Sequence, residues 1–154
     1  MSFSLFFKPK HNYLLERIGK ENDGGYLINS EAILKSDYLL SFGIFDDWSF
    51  EKNFIKYNKS AKIFCYDDII SFNFIFIRSI KKIILDLIKL KFSNIFRNLY
   101  TILDYIFINN KIKFYKKKIT TGDIQEIIKN LDKVFLKVDI EGSEYDILED
   151  ILKV

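Results

Sequence analysis

The stretch "LKVDIEGSEYDIL", Leu136 to Leu148, sets the carboxylates Asp139, Glu141 and Glu144 around a glycine, between two apolar runs. Carboxylates gathered at the end of an apolar strand can take a proton from a hydroxyl, orient it, hold an ammonium group, or share a divalent cation. A second set lies upstream. Gly43 closes the apolar run "YLLSFG", and Asp67 and Asp68 close "AKIFCY". A glycine after one strand lets the backbone approach a ligand, and an acid ending the next can accept hydrogen bonds from both hydroxyls of a ribose. An ordinary strand turn followed by a solvated acid pair accounts for the same spacing. The G-x-G-x-x-G phosphate fingerprint is absent, since "GIFDD" carries Phe45 where its second glycine would stand, and this disfavours a dinucleotide.

These residues need elements to hold them. Val134, Phe135, Leu136 and Val138 suit a buried strand, and Ile147, Leu148, Ile151 and Leu152 recur at helical spacing. Between them Gly142 permits a tight turn, and Ser143 with Asp146 three residues on predicts a capped helix start. Glu144 and Asp146 also favour the positive end of that helix, so the bland reading of the acids is a capped helix with solvated carboxylates. Capping does not account for Asp139 or Glu141. They precede the turn, at the carboxyl end of the strand, where open α/β sheets bind ligands.

Further upstream, Asn22-Asp23-Gly24-Gly25 lies between Ile18 and Tyr26-Leu27-Ile28 and predicts a hairpin-like turn. Asp46 and Asp47 are placed to cap a helix running to about Tyr57, with Phe50, Phe54, Ile55 and Tyr57 inward. Strand, glycine turn, helix, strand and acid follow one another, the outline of a βαβ nucleotide-binding unit. From Phe72 to Asn110 the pattern changes to two helical stretches, about Phe74 to Phe92 and Asn94 to Ile108. "IKFYKKKI" predicts a basic strand, and Asp123-x-x-Glu126 opens a helix expected over Thr121 to Leu131. The order predicts an α/β fold with a mainly parallel sheet in a single domain, 1–154, interrupted by a basic helical insertion, 72–110. The chain stops after the fourth main strand, so the sheet is expected to be incomplete on its C-terminal side, with an edge open to self-association.

Composition bounds the rest. A chain of 154 residues with 49% hydrophobic content can build one core and is not disordered. Cys65 is the single cysteine and falls in an apolar run, as a small buried residue would. The N-terminus lacks the features of a signal peptide, and no charge-free apolar span of about 18 residues or more occurs, so the expectation is a cytoplasmic protein. With one histidine, His11, a His-based metal site is not expected, and no metal is assigned. The net charge of +3 is unevenly spread: Arg78 to Lys118 holds 11 basic and two acidic residues, against 13 and 19 elsewhere. No aromatic-basic module accompanies Lys116-Lys117-Lys118, so a solvated edge is expected there rather than nucleic-acid contact. The apolar faces of the two long helices are expected to cover the sheet or close a substrate site. Arg78, Lys81, Lys82, Lys89 and Lys91 beside Ile and Leu make peripheral contact with an anionic membrane the alternative.

The blocks "RIGKENDGGYLI", "LLSFGIFDDWSFEKNF", "IFCYDD" and "FLKVDIEGSEYDIL" resemble, in this order, the FkbM-type S-adenosylmethionine-dependent methyltransferases, over a little under half the chain. The last block, a strand ending Lys-x-Asp-x-Glu-Gly-x-Glu, is the most specific. The resemblance implies a Rossmann-like class I methyltransferase sheet, S-adenosylmethionine as cofactor, and methylation of a hydroxyl on a sugar or other small secondary metabolite. It makes Gly43 the cofactor-loop glycine with Asp46 beside it, Asp67 the ribose acid with Asp68 beside it, and Asp139 the active-site acid, with Glu141 and Glu144 as the remaining motif acids. Phe45 departs from the pattern, standing where many relatives have glycine, and the sheet's later strands have no counterpart here. A non-catalytic remnant or binding module, including one associated with a membrane surface, is the alternative function.

Overall fold

A computed structural model describes residues 13–21, 24–140 and 142–153. Its centre is a four-stranded, wholly parallel sheet in the order β5-β4-β3-β6, built from β3 (Tyr38–Phe42), β4 (Lys62–Asp67), β5 (Ile112–Lys116) and β6 (Val134–Val138). From β3 the chain steps outward to β4 and β5, then returns to lay β6 on the other side of β3. The order therefore reverses beside β3, the place where parallel sheets open a crevice at their carboxyl ends.

The pleat sends alternate residues to opposite faces, and both faces are covered. On one, Leu39, Ile63, Cys65 and Ile112 join Phe50 and Phe54 of α2 (Ser49–Tyr57) and Ile33 of α1 (Ser30–Leu34) in a core. An antiparallel hairpin, β1 (Leu15–Ile18) with β2 (Tyr26–Asn29), adds Ile18 to this face, as the hairpin-like entry requires; Asn22 and Asp23 of the expected turn lie outside the described residues. On the other face, Leu40 and Phe42 pack with Ile124 of α5 (Asp123–Ile128) and Ile147 of α6 (Glu144–Leu152). Phe50 and Phe54 are 1% and 0% exposed, and each fully buried ring contributes on the order of 1.5–3 kcal/mol. Tyr57 departs from the expected inner face: it is 39% exposed and its hydroxyl donates to Glu16. A phenol keeps its polar tip in water when a carboxylate lies within reach.

Between β4 and β5 the chain forms a helical hairpin, α3 (Phe72–Ile88) and α4 (Phe92–Ile108). Both helices begin two residues before the expected starts. For α3 the reason is Ser71, whose side chain accepts from the Phe74 backbone N–H. The expectation that the hairpin covers the sheet holds only at its root, where Ile75, Tyr105 and Ile108 enter the core. Residues from Ile84 to Phe92 and Phe96 leave their apolar side chains half or more exposed. Nor does the hairpin cover β6, because Tyr105 packs on Phe114 of β5, at the opposite edge. Among the described residues β6 pairs with β3 alone.

Two capping expectations and one helix length are corrected. The α2 helix starts at Ser49, with no side-chain cap from Trp48; Asp47 accepts from the Ser49 N–H, while Asp46 turns away to Arg78 and Lys82. Ser143 sits at the start of α6 but in helical conformation, φ −83° and ψ 0°, where its hydroxyl makes no capping bond. A capping side chain works from extended backbone, so this helix start has no side-chain cap, and Glu144 instead ties down the preceding loop by accepting from the N–H groups of Ile140 and Gly142. The α5 helix is shorter than expected, with Gly122 at φ +87° before Asp123.

The root of α4 is fastened to α2 by Asp104. Its carboxylate accepts from the Trp48 indole N–H at 2.8 Å and from Lys52 at 2.8 and 2.9 Å, while Trp48 is 4% exposed. Burial opposes the Lys52 charge, but the Asp104 bond and charge outweigh it and hold the ammonium above its ordinary range. Asp104→Ala strands a buried indole donor and is expected to cost about 1–3 kcal/mol. Trp48 is the only tryptophan, so its emission reports the loss directly. A red-shifted spectrum with a lower urea midpoint is the expected outcome; an unchanged spectrum and midpoint would show that Asp104 does not hold the root.

Candidate active site

A cavity of about 500 Å³ opens at the carboxyl ends of the four parallel strands. Gly43, Asp46, Asp67, Asp68 and Asp139 all line it, together with Phe45, Lys117, Lys118 and Lys137. Five of the seven residues singled out from the sequence thus meet at one place. Glu144 is spent on the loop that opens α6 and is not part of the lining. Glu141 and the lone His11 lie outside the described residues. Among the described residues no group of three or more His, Cys, Asp or Glu is arranged to hold a metal ion.

Gly43 is needed by close approach. Its φ is +73°, and a Cβ there would stand 1.8 Å from the Asp139 carbonyl oxygen. The ends of β3 and β6 can be this near only without a side chain between them. Asp139 donates its N–H to the Phe42 carbonyl, extending the ladder one step beyond the strands and fixing where its side chain starts. The Asp139 carboxylate accepts from the Tyr26 hydroxyl at 2.5 Å, so the first hairpin reaches across 113 residues to orient it.

Asp67 is mostly committed to the backbone. One of its oxygens accepts from the Phe45 N–H and the other from Ile69 and Ile70, at 2.8 to 2.9 Å. A carboxylate offers about four acceptor positions, so one remains. Its neighbour Asp68 makes no side-chain hydrogen bond among the described residues and lines the same cavity. Phe45 adopts φ +50°, a conformation that glycine accepts readily and a bulky residue does not. Asp67 holds its N–H, and the Arg78 guanidinium lies 4.4 Å from its ring centroid while its Nε forms an ion pair with Asp46 at 2.8 Å, without hydrogen-bond geometry among the described residues. The wall of the cavity is therefore fastened to α3.

Beneath the cavity lies a buried ion pair that joins β6 to α2. Lys137 Nζ donates to Glu51 Oε1 at 3.1 Å, and the same oxygen accepts from the Ser41 hydroxyl at 2.6 Å. The Glu51 side chain is 0% exposed and that of Lys137 6%. The ammonium also lies 5.7 and 5.5 Å from the ring centroids of Tyr26 and Phe50. Glu51 Oε2 has no hydrogen-bond partner among the described residues. Cys65 is buried as expected, and burial, with the Glu51 charge second, pushes its thiol well above the ordinary range.

On the far wall, Lys117 pairs with Asp123 at 2.6 Å. The Lys117 bond, with those from Thr120, holds the Asp123 carboxyl below its ordinary range. Lys116, Lys117 and Lys118 are all exposed, as a solvated edge requires, yet two of them border the cavity. Tyr26, Lys137 and Glu51 are the contributors that sequence reasoning passed over. Lys137 carried a readable signal, a lysine within an apolar strand, whereas Glu51, between Phe50 and Lys52 in the first turn of a helix, stands where an acid is ordinary and carried none.

Comparison of the chain with models of known protein families, with curated proteins and with solved structures yields no match. The architecture is α/β with an all-parallel four-stranded sheet, and no helix among the described residues is long and apolar enough to cross a membrane.

Removing one member of a buried pair leaves an uncompensated charge. Lys137→Met is expected to destabilise the fold by about 3–5 kcal/mol, and adding Glu51→Gln to recover a substantial part of that loss. Urea melts of the two single variants and the double variant measure the coupling; additive losses would show that the pair is not a unit. Gly43→Ala is expected to lower the melting temperature sharply, because the Asp139 carbonyl is backbone and cannot move aside as a side chain would. A variant that melts like the parent would contradict the close approach.

Proposed function

We propose that this protein is an S-adenosylmethionine-dependent methyltransferase of the FkbM type, with a Rossmann-like class I sheet, acting on a hydroxyl of a sugar or another small metabolite. The observation that carries this reading is the meeting of Gly43, Asp67, Asp68 and Asp139, drawn from the ends of three strands, around one cavity beside the point where the strand order reverses. The cavity is within the range of small-molecule and cofactor sites.

The residues present fit such a cofactor. The Asp68 carboxylate, without a hydrogen bond among the described residues, and the remaining acceptor position of Asp67 suit ribose hydroxyls, and Gly43 leaves backbone open at the strand end. Bound there, S-adenosylmethionine supplies an electrophilic methyl on a sulfonium. The chain's own part is positioning. Holding donor and acceptor at near-attack distance lowers a barrier by ~7–11 kcal/mol, and a base at the hydroxyl adds ~10²–10⁴-fold. Asp139 is the group for that proton, and Tyr26, by donating to Asp139 Oδ2, leaves Oδ1 to face the acceptor. Tyr26 acts here as a positioning residue.

Calorimetric titration with S-adenosylmethionine and S-adenosylhomocysteine is the test. Asp68→Ala is expected to weaken both equally, by about 1.5–3 kcal/mol, since both carry the ribose and the lost bonds are charge-assisted. Asp67→Ala should weaken both and also lower the melting temperature, because it releases three backbone amides. Asp139→Asn should reduce turnover far more than affinity. Parent protein that binds neither compound would reject the reading; binding without turnover over a panel of hydroxylated acceptors would favour the binding module.

A further inference from the structure

The α3–α4 hairpin is built inside out for an aqueous setting. Beyond its root the buried positions are polar: Ser79 and Asn98 are 4% and 6% exposed, and the Asp86 carboxylate accepts from the side-chain amides of both Asn94 and Asn98 between the helices. Ile80, Ile83 and Ile95 are half-buried, but toward the tip the apolar side chains face out. At the tip Ile88 and Leu90 are 75% and 73% exposed, Phe92 59% and Phe96 73%. An exposed Leu means little by itself; polar residues turned in, with several large apolar side chains turned out around one helix turn, do carry information.

The charges say what the surface meets. Both acids of the hairpin are consumed internally, Asp86 by the asparagines and Asp104 by Trp48 and Lys52. Lys89 and Lys91 alternate with Ile88, Leu90 and Phe92, Arg97 lies on the adjoining turn of α4 and Lys81 about two turns back along α3, all exposed and without an acidic partner among the described residues. Seventeen-residue helices carry the tip about 25 Å from their roots, so it stands clear of the sheet. An apolar wedge ringed by cations and free of exposed carboxylate complements a bilayer with anionic headgroups, where lysine stems lie along the acyl boundary and the ammonium groups stay at the phosphates. Leu90 holds φ +54°, a left-handed turn that a side chain seldom adopts, and it sits at the apex of this wedge.

We propose that the tip of the hairpin, residues 88–92 with Phe96 and Arg97, is a docking site for anionic membrane surfaces that enters the interface without spanning it. The test is co-sedimentation of the full chain with vesicles of phosphatidylcholine alone or of phosphatidylcholine mixed with phosphatidylserine. Binding to the mixed vesicles, falling with salt, is expected. Lys89→Gln with Lys91→Gln should weaken it by on the order of 20-fold. Leu90→Ser with Phe92→Ser should weaken it at least as much, and the emission of Trp48, at the hairpin root, checks that both variants remain folded. Three results would overturn the proposal. The first is no sedimentation with either vesicle, or equal sedimentation with both. The second is binding that follows the lysines but ignores Leu90 and Phe92, as for a bare polyanion. The third is a dimer in ultracentrifugation that Phe92→Ser abolishes, which would give the surface to a second copy of the chain.

Discussion

The pair between Lys137 and Glu51 is the interaction on which the site depends. It joins β6 to α2 across the end of β3, directly below the cavity. Two charges removed from water lose several kcal/mol of hydration each, and their attraction returns that only when geometry and neighbours are fixed. Here the neighbours are Ser41, which shares the carboxylate oxygen, and the rings of Tyr26 and Phe50 beside the ammonium. A pair so enclosed tolerates little displacement. It therefore sets the spacing of three elements, and with it the approach of Gly43 to Asp139 and the reach of Tyr26 to the Asp139 carboxylate.

Asp67 illustrates how one carboxylate can be both scaffold and ligand candidate. Its two oxygens tie down the β3–α2 loop at Phe45 and the start of the next turn at Ile69 and Ile70. This shapes the cavity wall and leaves the adjoining Asp68 as the acid with unspent capacity. The loop it secures includes a phenylalanine in a glycine-like conformation, held from outside by the stacked Arg78. Strain of this kind, of order 1–3 kcal/mol, persists only where surrounding bonds over-determine it.

The helical hairpin divides into two halves with different physics. Its root is ordinary core: Ile75, Tyr105 and Ile108 are buried, and Asp104 joins it to α2. Its outer half buries Ser79 and Asn98, with Asn98 bonded to a half-buried Asp86, and leaves Ile88, Leu90, Phe92 and Phe96 exposed. The same insertion that walls the cavity through Arg78 and Asp46 thus projects a surface of a different character away from it.

The sequence by itself determined the parallel α/β order, the strands at Tyr38, Lys62, Ile112 and Val134, the buried Cys65, and the collection of Gly43, Asp67, Asp68 and Asp139 at strand ends. These are legible because apolar period and turn chemistry act between near neighbours, so each short segment carries its own instruction. The resemblance to a methyltransferase family added candidate roles, which the absence of matching families, proteins and structures leaves as a proposal. Tertiary structure decided the rest. Lys137 meets Glu51 across 86 residues and Tyr26 meets Asp139 across 113, and nothing local to any of the four names its partner. Asp46 could cap α2 by its spacing, yet two cations on α3 draw it away. Ser143 had the right type for a cap, but its helical backbone keeps the hydroxyl from capping, and Glu144 fastens the preceding loop instead. A helical period predicts an apolar stripe without saying what lies against it. Which side of α3 and α4 meets the other helix, the sheet or the surroundings is settled only when all three compete for the same faces, and there the asparagines and Asp86 took the inside.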